Sequence, residues 1–243
     1  MWPKITTNYS PNFNLPKRTK KTIKFIILHY TGMRKESSAI KKLCDFNSKV
    51  SAHYFIKKNG NILNLVPDLY EAWHAGKSSW KNFKSINKNS IGIEIQNPGH
   101  FYSYENFSIK QINSLKELIK KLIKIYKINR KNILGHSDIS PNRKKDPGEK
   151  FPWKNLSKLK LAFWHNLNEK KIKKLRLIKL NKVEEKNFFK NINKIGYKRI
   201  KNSNINNNKI LTKSFQRRFR QSLINGIIDQ ECLIIAKNIL KKL

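Results

Sequence analysis

Residues 22–30 of the chain read Thr-Ile-Lys-Phe-Ile-Ile-Leu-His-Tyr, a run of β-branched and apolar residues that ends beside a histidine. Such a run is typical of a strand in the centre of a sheet, and we predict a strand over residues 22–28. Open sheets hold their ligands at the ends of central strands, so His29 is a candidate functional residue. On this pattern alone, a histidine that only caps the strand is an equal alternative.

Further strand patterns follow. Residues 50–57 and 61–66 are strand-like, and the Asn59-Gly60 pair between them is typical of a tight hairpin turn. Residues 90–95 read Ser-Ile-Gly-Ile-Glu-Ile, which predicts another strand. A carboxylate in a buried strand is costly unless it is paired or lies near a cation. Glu94 therefore lies either at a functional site or on a solvated face.

A long amphipathic helix is predicted to begin at Ser108. Ser108 and Gln111 form a capping-box pattern, and apolar residues then recur at every third or fourth position as far as Tyr126. Shorter helical patterns cover residues 37–46 and about 156–164. The alternation of strands and helices predicts an α/β domain in which a mixed sheet is flanked by helices.

Pattern and composition divide the chain into four parts. We predict an extended N-terminal lead-in (1–21), an α/β domain (22–166), a charged connector (167–182) and a small all-α domain of three helices (183–243). In the last part, Gly196 ends one helix and Asp229 caps another. An Asn-rich loop over residues 202–208 separates the helices.

The most unusual loop runs from Gly135 to Gly148. It contains His136 and Asp146, which are both common metal ligands, and Lys144, a cation that could stabilise an oxyanion. Its prolines and glycines predict an ordered loop, the kind of segment on which catalytic groups are often placed. A polar surface loop with a hydrogen-bonded histidine is the alternative.

The formal charge of the chain is +38, from 53 Lys and Arg against 15 Asp and Glu. A charge of this size attracts polyanions such as nucleic acids or anionic wall polymers. The lysines are nevertheless spread along the whole chain, which indicates a general compositional drift. We therefore do not predict specific nucleic-acid binding.

No apolar run reaches the ~18–20 residues that span a bilayer, so no transmembrane segment is predicted. The first residues are not followed by the apolar segment of a secretory signal peptide. From this we expect a cytoplasmic protein.

Five motifs occur together and in order. They are His29-Tyr30-Thr31 and the segments at residues 50–54, 72–76, 92–95 and 135–148. On these motifs, residues 22–165 resemble the zinc-dependent N-acetylmuramoyl-L-alanine amidases of the amidase_2 type, in particular their bacterial anhydromuropeptide-recycling and outer-membrane branch. The phage-lysozyme branch of the family carries a catalytic Tyr at the position of Ala52, so that role would pass to Glu94 here.

The resemblance implies one catalytic Zn²⁺ held by His29, His136 and Asp146, with a fourth position left open. It implies Glu94 as the general base and Lys144 as the residue that stabilises the oxyanion. We predict that four further residues contact the substrate, which are Trp73, His74, His53 and Asn97. For His53 and His74, support of the metal ligands from behind is the alternative. Asp138 has no predicted role beyond bracing its loop.

The C-terminal part resembles a small helical peptidoglycan-binding domain, on residues 214–220 and 226–229. Together the resemblances imply a hydrolase that cleaves the amide between N-acetylmuramoyl, or 1,6-anhydro-N-acetylmuramoyl, and L-alanine in peptidoglycan or muropeptides. The expected role is cell-wall turnover or recycling by a monomer. A wall-binding domain makes the periplasm or cell envelope the alternative location. A non-catalytic muropeptide-binding protein on the same fold is the alternative function.

Overall fold

The computed structural model describes residues 5–198 and 205–243. The strands and helices in chain order are β1 (Ile5–Thr7), β2 (Phe13–Asn14), β3 (Phe25–Tyr30), α1 (Glu36–Cys44), β4 (Tyr54–Ile56), β5 (Ile62–Asn64), β6 (Glu71–Ala72), β7 (Ser79–Trp80), β8 (Phe83–Lys84), β9 (Ser90–Ile95), α2 (Ile109–Tyr126), β10 (Ile133–Gly135), α3 (His136–Ile139), α4 (Trp153–Lys158), α5 (Glu169–Lys173), α6 (Lys182–Ile195), α7 (Ile205–Phe219) and α8 (Gln230–Lys241).

Six of these strands form one sheet, in the order β1-β5-β4-β9-β3-β10. Strands β4, β9, β3 and β10 run parallel to one another, whereas β4 and β5 form the antiparallel hairpin that the Asn-Gly turn predicts. The predicted α/β class, with a mixed sheet and flanking helices, is confirmed. The parallel strands end at one edge, where their polar residues can meet.

Burial explains why β3 lies near the centre. The side chains of Phe25 to Leu28 are at most 1% exposed, so both faces of the strand are covered. Helix α2 packs against the sheet with Leu115, Leu118, Ile119 and Leu122, all fully buried. Its capping box forms as predicted, because Ser108 and Gln111 each accept a backbone N–H of the other.

The N-terminal segment is more than an extended lead-in. Residues Ile5 to Thr7 form β1, which pairs in parallel with β5 at the edge of the sheet. A three-residue strand carries too little pattern to be predicted. The open edge of β5 supplies the hydrogen-bonding partners that make it a strand.

Several helix boundaries also differ from the prediction. The loop after β10 begins with the one-turn helix α3, and α4 covers Trp153–Lys158 in place of about 156–164. The connector contains α5. Helix α7 begins at Ile205, so residues 205–208 of the Asn-rich segment are helical, while residues 202–204 lie outside the described part.

The C-terminal helices α6, α7 and α8 pack onto the α/β part, and their apolar residues belong to the same core. Phe188, Phe215 and Ile239 join one continuous cluster with the residues of β3 and α2. The Trp80 ring lies so close to Gly196 that a side chain at Gly196 would have no room. The two predicted domains are thus joined by an extensive buried contact.

Within the described part of the chain, the helices are all too short or too polar to cross a lipid bilayer.

Candidate metal centre

Three side chains converge at the carboxyl edge of the parallel strands. His29 lies near the end of β3, His136 begins α3 directly after β10, and Asp146 follows in the loop. The His29 Nδ1 atom lies 2.9 Å from His136 Nδ1 and 3.0 Å from Asp146 Oδ2, and the third side of this triangle is 3.1 Å. The fold thus brings together the three residues that the family resemblance implies as metal ligands, and His29 is more than 100 positions away from the other two in sequence.

The triangle fits a zinc ion. Zinc bonds of ~2.0–2.2 Å to nitrogen and oxygen place tetrahedral ligands about 3.3 Å apart, close to the three distances observed. Two imidazole nitrogens and one carboxylate oxygen are a common zinc donor set, and three protein ligands leave one coordination position open. All three side chains are buried, so the protein itself holds the donors in position.

Hydrogen bonds also determine which ring nitrogen of each histidine carries the proton. His136 Nε2 lies 3.1 Å from the Ala75 carbonyl oxygen, which can only accept, so Nε2 carries the proton and Nδ1 is free for a metal. The Ser90 hydroxyl donates to the Ile86 carbonyl oxygen at 2.7 Å and therefore accepts from His74 Nε2 at 3.1 Å.

This chain of hydrogen bonds continues to His29. With its proton on Nε2, His74 accepts at Nδ1 from His29 Nε2, at 3.1 Å. Burial, and then the charge of His29, lower the pKa of His74 well below its ordinary value, which keeps the ring neutral. His29 Nδ1 is thereby left without a proton, as a metal ligand requires.

Electrostatics in the cluster favour a cation. Burial alone would raise the pKa of Asp146, but protons on the His136 and His29 nitrogens that face it, in the place that a bound metal would take, outweigh burial and hold that pKa below its ordinary value. Burial, followed by the charge of His136, lowers the pKa of His29 to about 4. A carboxylate beside two neutral imidazoles is the protonation state that binds zinc.

Glu94 lies beside the triangle on β9. Its Oε2 atom is buried and has no hydrogen-bond partner among the described residues. Burial, and then the charge of Asp146, raise the pKa of Glu94 well above its ordinary value, while Lys144 acts in the opposite direction. A buried carboxyl oxygen without a partner is costly in free energy, which is a common feature of functional sites.

Two cavities are relevant to the choice of site. One, of about 400 Å³, lies between the connector and the C-terminal helices, and the charged residues that line it, Arg176, Arg220 and Glu231, already form ion pairs with one another. The cavity above the metal ligands has a volume of about 340 Å³. Glu94 and Lys144 both line this second cavity, together with His136 and Asp146. The predicted catalytic residues and two of the predicted ligands therefore face one space.

Lys144 is available to a ligand in this cavity. Its backbone N–H donates to the Ser140 carbonyl oxygen at 3.0 Å, which fixes the main chain at this position. Over residues 5–198 and 205–243, no ion pair engages its ammonium group. An unpaired cation beside the ligand triangle can stabilise negative charge on a bound group.

The four predicted substrate contacts separate into two pairs. Trp73 and His74 line the cavity, although His74 is also hydrogen bonded to His29. His53 is fully buried, accepts the Gly92 N–H at Nδ1, and does not line the cavity.

Asn97 is also buried. Its amide group donates to the Glu105 carbonyl oxygen and accepts the Gly99 N–H. His53 and Asn97 therefore brace the backbone in this structure, and its geometry gives no support for a direct contact of either residue with substrate.

Other residues of the cavity wall were not predicted. Met33, Leu43 and Val50 form an apolar side, and Phe101 is an aromatic residue at the rim that is 87% exposed. Phe101 follows Gly99 and His100 in a segment without strand or helix periodicity. The aromatic side chain in such a loop is the one feature of the sequence that could have indicated a binding role for Phe101.

Two histidines and one carboxylate at the edge of a mixed sheet, beside a second carboxyl group, form the arrangement expected of a metal-dependent hydrolase. Comparison with known proteins agrees. The amidase_2 family, N-acetylmuramoyl-L-alanine amidase, matches residues 19–149, just over half of the chain. The chain belongs to this family.

Relatives match over most of the chain. The N-acetylmuramoyl-L-alanine amidase AmiD of Escherichia coli (strain K12) is 32% identical over 232 residues, which are 90% of this chain and 83% of AmiD. The 1,6-anhydro-N-acetylmuramyl-L-alanine amidase AmpD of Haemophilus influenzae is 33% identical over 170 residues, which are 62% of this chain and 90% of AmpD.

Solved structures are similar over nearly the whole length of the chain. The complex of E. coli AmiD with the substrate anhydro-N-acetylmuramic acid-L-Ala-D-gamma-Glu-L-Lys has a TM-score of 0.82 at 29% identity and covers 94% of this chain and 93% of that one. The crystal structure of AMPDH3 from Pseudomonas aeruginosa has a TM-score of 0.80 at 28% identity and covers 96% of each chain. The similarity therefore includes the C-terminal helices.

Proposed function

We propose that the protein is a zinc-dependent amidase that hydrolyses the bond between N-acetylmuramoyl, or its 1,6-anhydro form, and L-alanine in peptidoglycan fragments. One observation carries the proposal: three metal-ligand atoms form a triangle beside a carboxyl oxygen of Glu94 that has no hydrogen-bond partner in the described part of the chain. The relatives support the substrate class, since AmiD has been solved in complex with anhydro-N-acetylmuramic acid-L-Ala-D-gamma-Glu-L-Lys and AMPDH3 in complex with an anhydromuramic pentapeptide.

His29, His136 and Asp146 would hold the zinc ion. When bound there, zinc acts as a Lewis acid that polarises the scissile carbonyl group and makes water a better nucleophile. Glu94 removes a proton from the attacking water and then delivers it to the nitrogen of L-alanine. The carbon–nitrogen bond breaks in this step, which yields a lactyl carboxylate and a free amino terminus.

Lys144 stabilises the negative charge that develops on the carbonyl oxygen, and it does so in a partly buried cavity where charge interactions are strong. The apolar side of the cavity, formed by Met33, Leu43 and Val50, suits the methyl groups of the lactyl and alanyl units on either side of the bond. Trp73 closes the wall and limits access of water.

The test uses purified full-length protein with two substrates, whole sacculi and soluble anhydromuropeptides. Mass spectrometry should show peptides that begin with a free L-alanine, and a chelator should abolish their release until zinc is added back. Zinc-loaded protein that binds muropeptides but releases no peptide would favour the non-catalytic alternative. The relative yields from the two substrates decide between intact wall and 1,6-anhydro fragments.

Location and oligomeric state stay predictions. We propose a monomer in the cytoplasm, with the periplasm or cell envelope as the alternative location. Cell fractionation with antibody detection tests the location, and light scattering on the purified protein tests the oligomeric state.

A further inference from the structure

Helix α7 lies directly beneath the loop that carries two of the metal ligands. We define the metal loop as residues 135–151. Ser214, Arg218 and Gln221 recur at intervals of four and three residues, which places them on one side of α7 and the turn that follows it. Each of them is hydrogen bonded to backbone of the metal loop or of a segment next to it.

The first contact fixes the ligand residues to each other. The Ser137 N–H donates to the Asp146 carbonyl oxygen at 2.8 Å, which joins the turn of His136 to the backbone of Asp146. The carbonyl oxygen of Ser137 accepts the Ser214 hydroxyl at 2.6 Å. Thus Ser214 holds the residue that links the two ligands.

The second contact fixes the turn that presents His136. Asp138 is 1% exposed and accepts the Gly135 N–H at 2.8 Å, which closes the turn around His136. Its other carboxyl oxygen accepts the Tyr197 hydroxyl at 2.6 Å. Tyr197 follows α6 and is fully buried, so this hydrogen bond also connects the metal loop to the C-terminal helices.

The remaining contacts fix the two ends of the loop. Gln221 donates from its amide to the carbonyl oxygens of Glu149 and Phe151, both at 2.7 Å. Arg218 lies against the Trp153 ring and donates to the carbonyl oxygen of Ile133, at the start of β10. The metal loop is therefore held from below at its start, its turn and its end.

From these contacts we propose that Tyr197 and Ser214 are positioning residues for the metal centre, supplied by the C-terminal helices. They set the affinity of the site for zinc by holding Asp138 and Ser137, and through them His136 and Asp146. The inference rests on the proposed zinc site. It gives the C-terminal helices a role in catalysis that requires no contact with glycan.

The residues that resemble a peptidoglycan-binding signature agree with this role. Within residues 214–220, Ser214, Gln216, Arg217, Arg218 and Arg220 are all buried. Gln216 is hydrogen bonded to the backbone and to the Asn225 side chain of the loop before α8. Arg220 pairs with Asp229 and Glu231. These polar groups are used inside the protein, so they are not exposed to a polymer.

The test compares two variants of the full-length protein, Tyr197→Phe and Ser214→Ala, each of which removes a single oxygen atom. Each has a matched control elsewhere. Tyr126→Phe removes a similar Tyr–Asp hydrogen bond, to Asp68 at 2.7 Å. Thr212→Val removes a buried hydroxyl of the same helix α7, whose hydrogen bond within the described residues stays inside the helix, to the Asn208 carbonyl oxygen at 2.8 Å.

The zinc dissociation constant is measured by competition with a chelator, and the visible spectrum of the cobalt-substituted protein reports the coordination geometry. We expect each test variant to bind zinc on the order of tenfold more weakly, with an altered cobalt spectrum, as is usual for residues that orient metal ligands. Both controls should retain the wild-type affinity and spectrum. Unfolding curves of the metal-free variants identify any variant that fails to fold. If one test variant does not fold, the zinc affinity of the other tests the proposal.

Unchanged zinc affinity and cobalt spectrum in folded Tyr197→Phe and Ser214→Ala would overturn the positioning role. A wild-type protein that binds no zinc, or releases no peptide when loaded with zinc, would instead overturn the proposed function. The two failures are therefore distinguishable.

Discussion

His29 and Glu94 are direct partners on neighbouring parallel strands, with their Cα atoms in register between β3 and β9. Paired residues of adjacent strands project from the same face of a sheet, so the ligand and the carboxylate emerge side by side. Strands in the centre of a sheet are rigid supports, which suits groups that must keep a fixed separation. This relationship predicts that the two roles can be separated by substitution.

Glu94→Gln should lose turnover and keep the metal. The amide has the same shape but cannot accept a proton at neutral pH, so we expect kcat to fall by about 10²–10⁴. Zinc content, measured by atomic absorption, should stay at one ion per chain. A Glu94→Gln protein with wild-type kcat would remove Glu94 from the role of base.

Asp146→Asn should lose the metal. The amide keeps the volume of the side chain but supplies a weaker, uncharged donor, and His29 and His136 alone make a poor zinc site. Zinc should raise the melting temperature of the wild-type protein, because a ligand bound only by the folded state stabilises it. The melting temperature of Asp146→Asn should not respond to zinc at the same concentrations. An equal rise in both proteins would place the ion elsewhere.

Ser90→Ala should weaken zinc binding from a distance. The Ser90 hydroxyl accepts a hydrogen bond from His74 Nε2–H, which keeps the proton of His74 on Nε2. Without this hydroxyl, nothing fixes His74 Nδ1 as the acceptor for His29 Nε2–H. We expect a loss of zinc affinity of about 10–100-fold, the usual effect of residues behind metal ligands.

The control for Ser90→Ala is Ser10→Ala. It removes a buried hydroxyl that donates to the Leu43 carbonyl oxygen and that has no hydrogen bond, within the described residues, to His74 or to the metal ligands. If Ser90→Ala and Ser10→Ala reduce the zinc affinity by the same factor, the effect reflects general packing and not the chain of hydrogen bonds.

His165 should make the protein less stable in acid. Burial lowers the pKa of His165 from 6.5 to about 4, against an opposing effect of Glu169. The unfolded chain therefore takes up this proton first as the pH falls. The contribution of His165 to stability is complete above pH 6.5 and is lost progressively as the pH falls towards 4.

His165→Gln should reduce this loss. One such group contributes a slope of at most about 1.4 kcal/mol per pH unit to the free energy of unfolding. Urea unfolding between pH 7 and 4.5 should show a shallower dependence in the variant than in the wild-type protein. Parallel curves for the two proteins would show that His165 does not titrate between these limits.

Local patterns predicted the strands that carry the site. Residues 25–28 are a continuous apolar run and residues 90–95 are apolar apart from Ser90 and Glu94, because both strands are largely covered on both faces. The Ser108 capping box is a short-range signal. The identity of His29, His136 and Asp146 as a set came from a family resemblance. Spacing alone could not show it, because only the sheet brings positions 29 and 136 together.

The supporting contacts had no signal in the sequence. The proton positions on His29 and His136 depend on the carbonyl oxygens of Ile86 and Ala75, and every residue type offers such an oxygen. The hydrogen bond between Tyr197 and Asp138 spans 59 positions and follows from the docking of α6 and α7. Strand β1 was missed because its pairing with β5 depends on tertiary structure, not on local pattern.

The continuous core that joins Phe188 and Phe215 to the sheet has a consequence for how the protein unfolds. Two parts that bury so much apolar surface against each other cannot open one at a time without exposing it to water. Calorimetry should therefore show a single cooperative heat-absorption peak. Limited proteolysis in the connector should yield fragments that remain associated, because neither part keeps a complete core when it is alone.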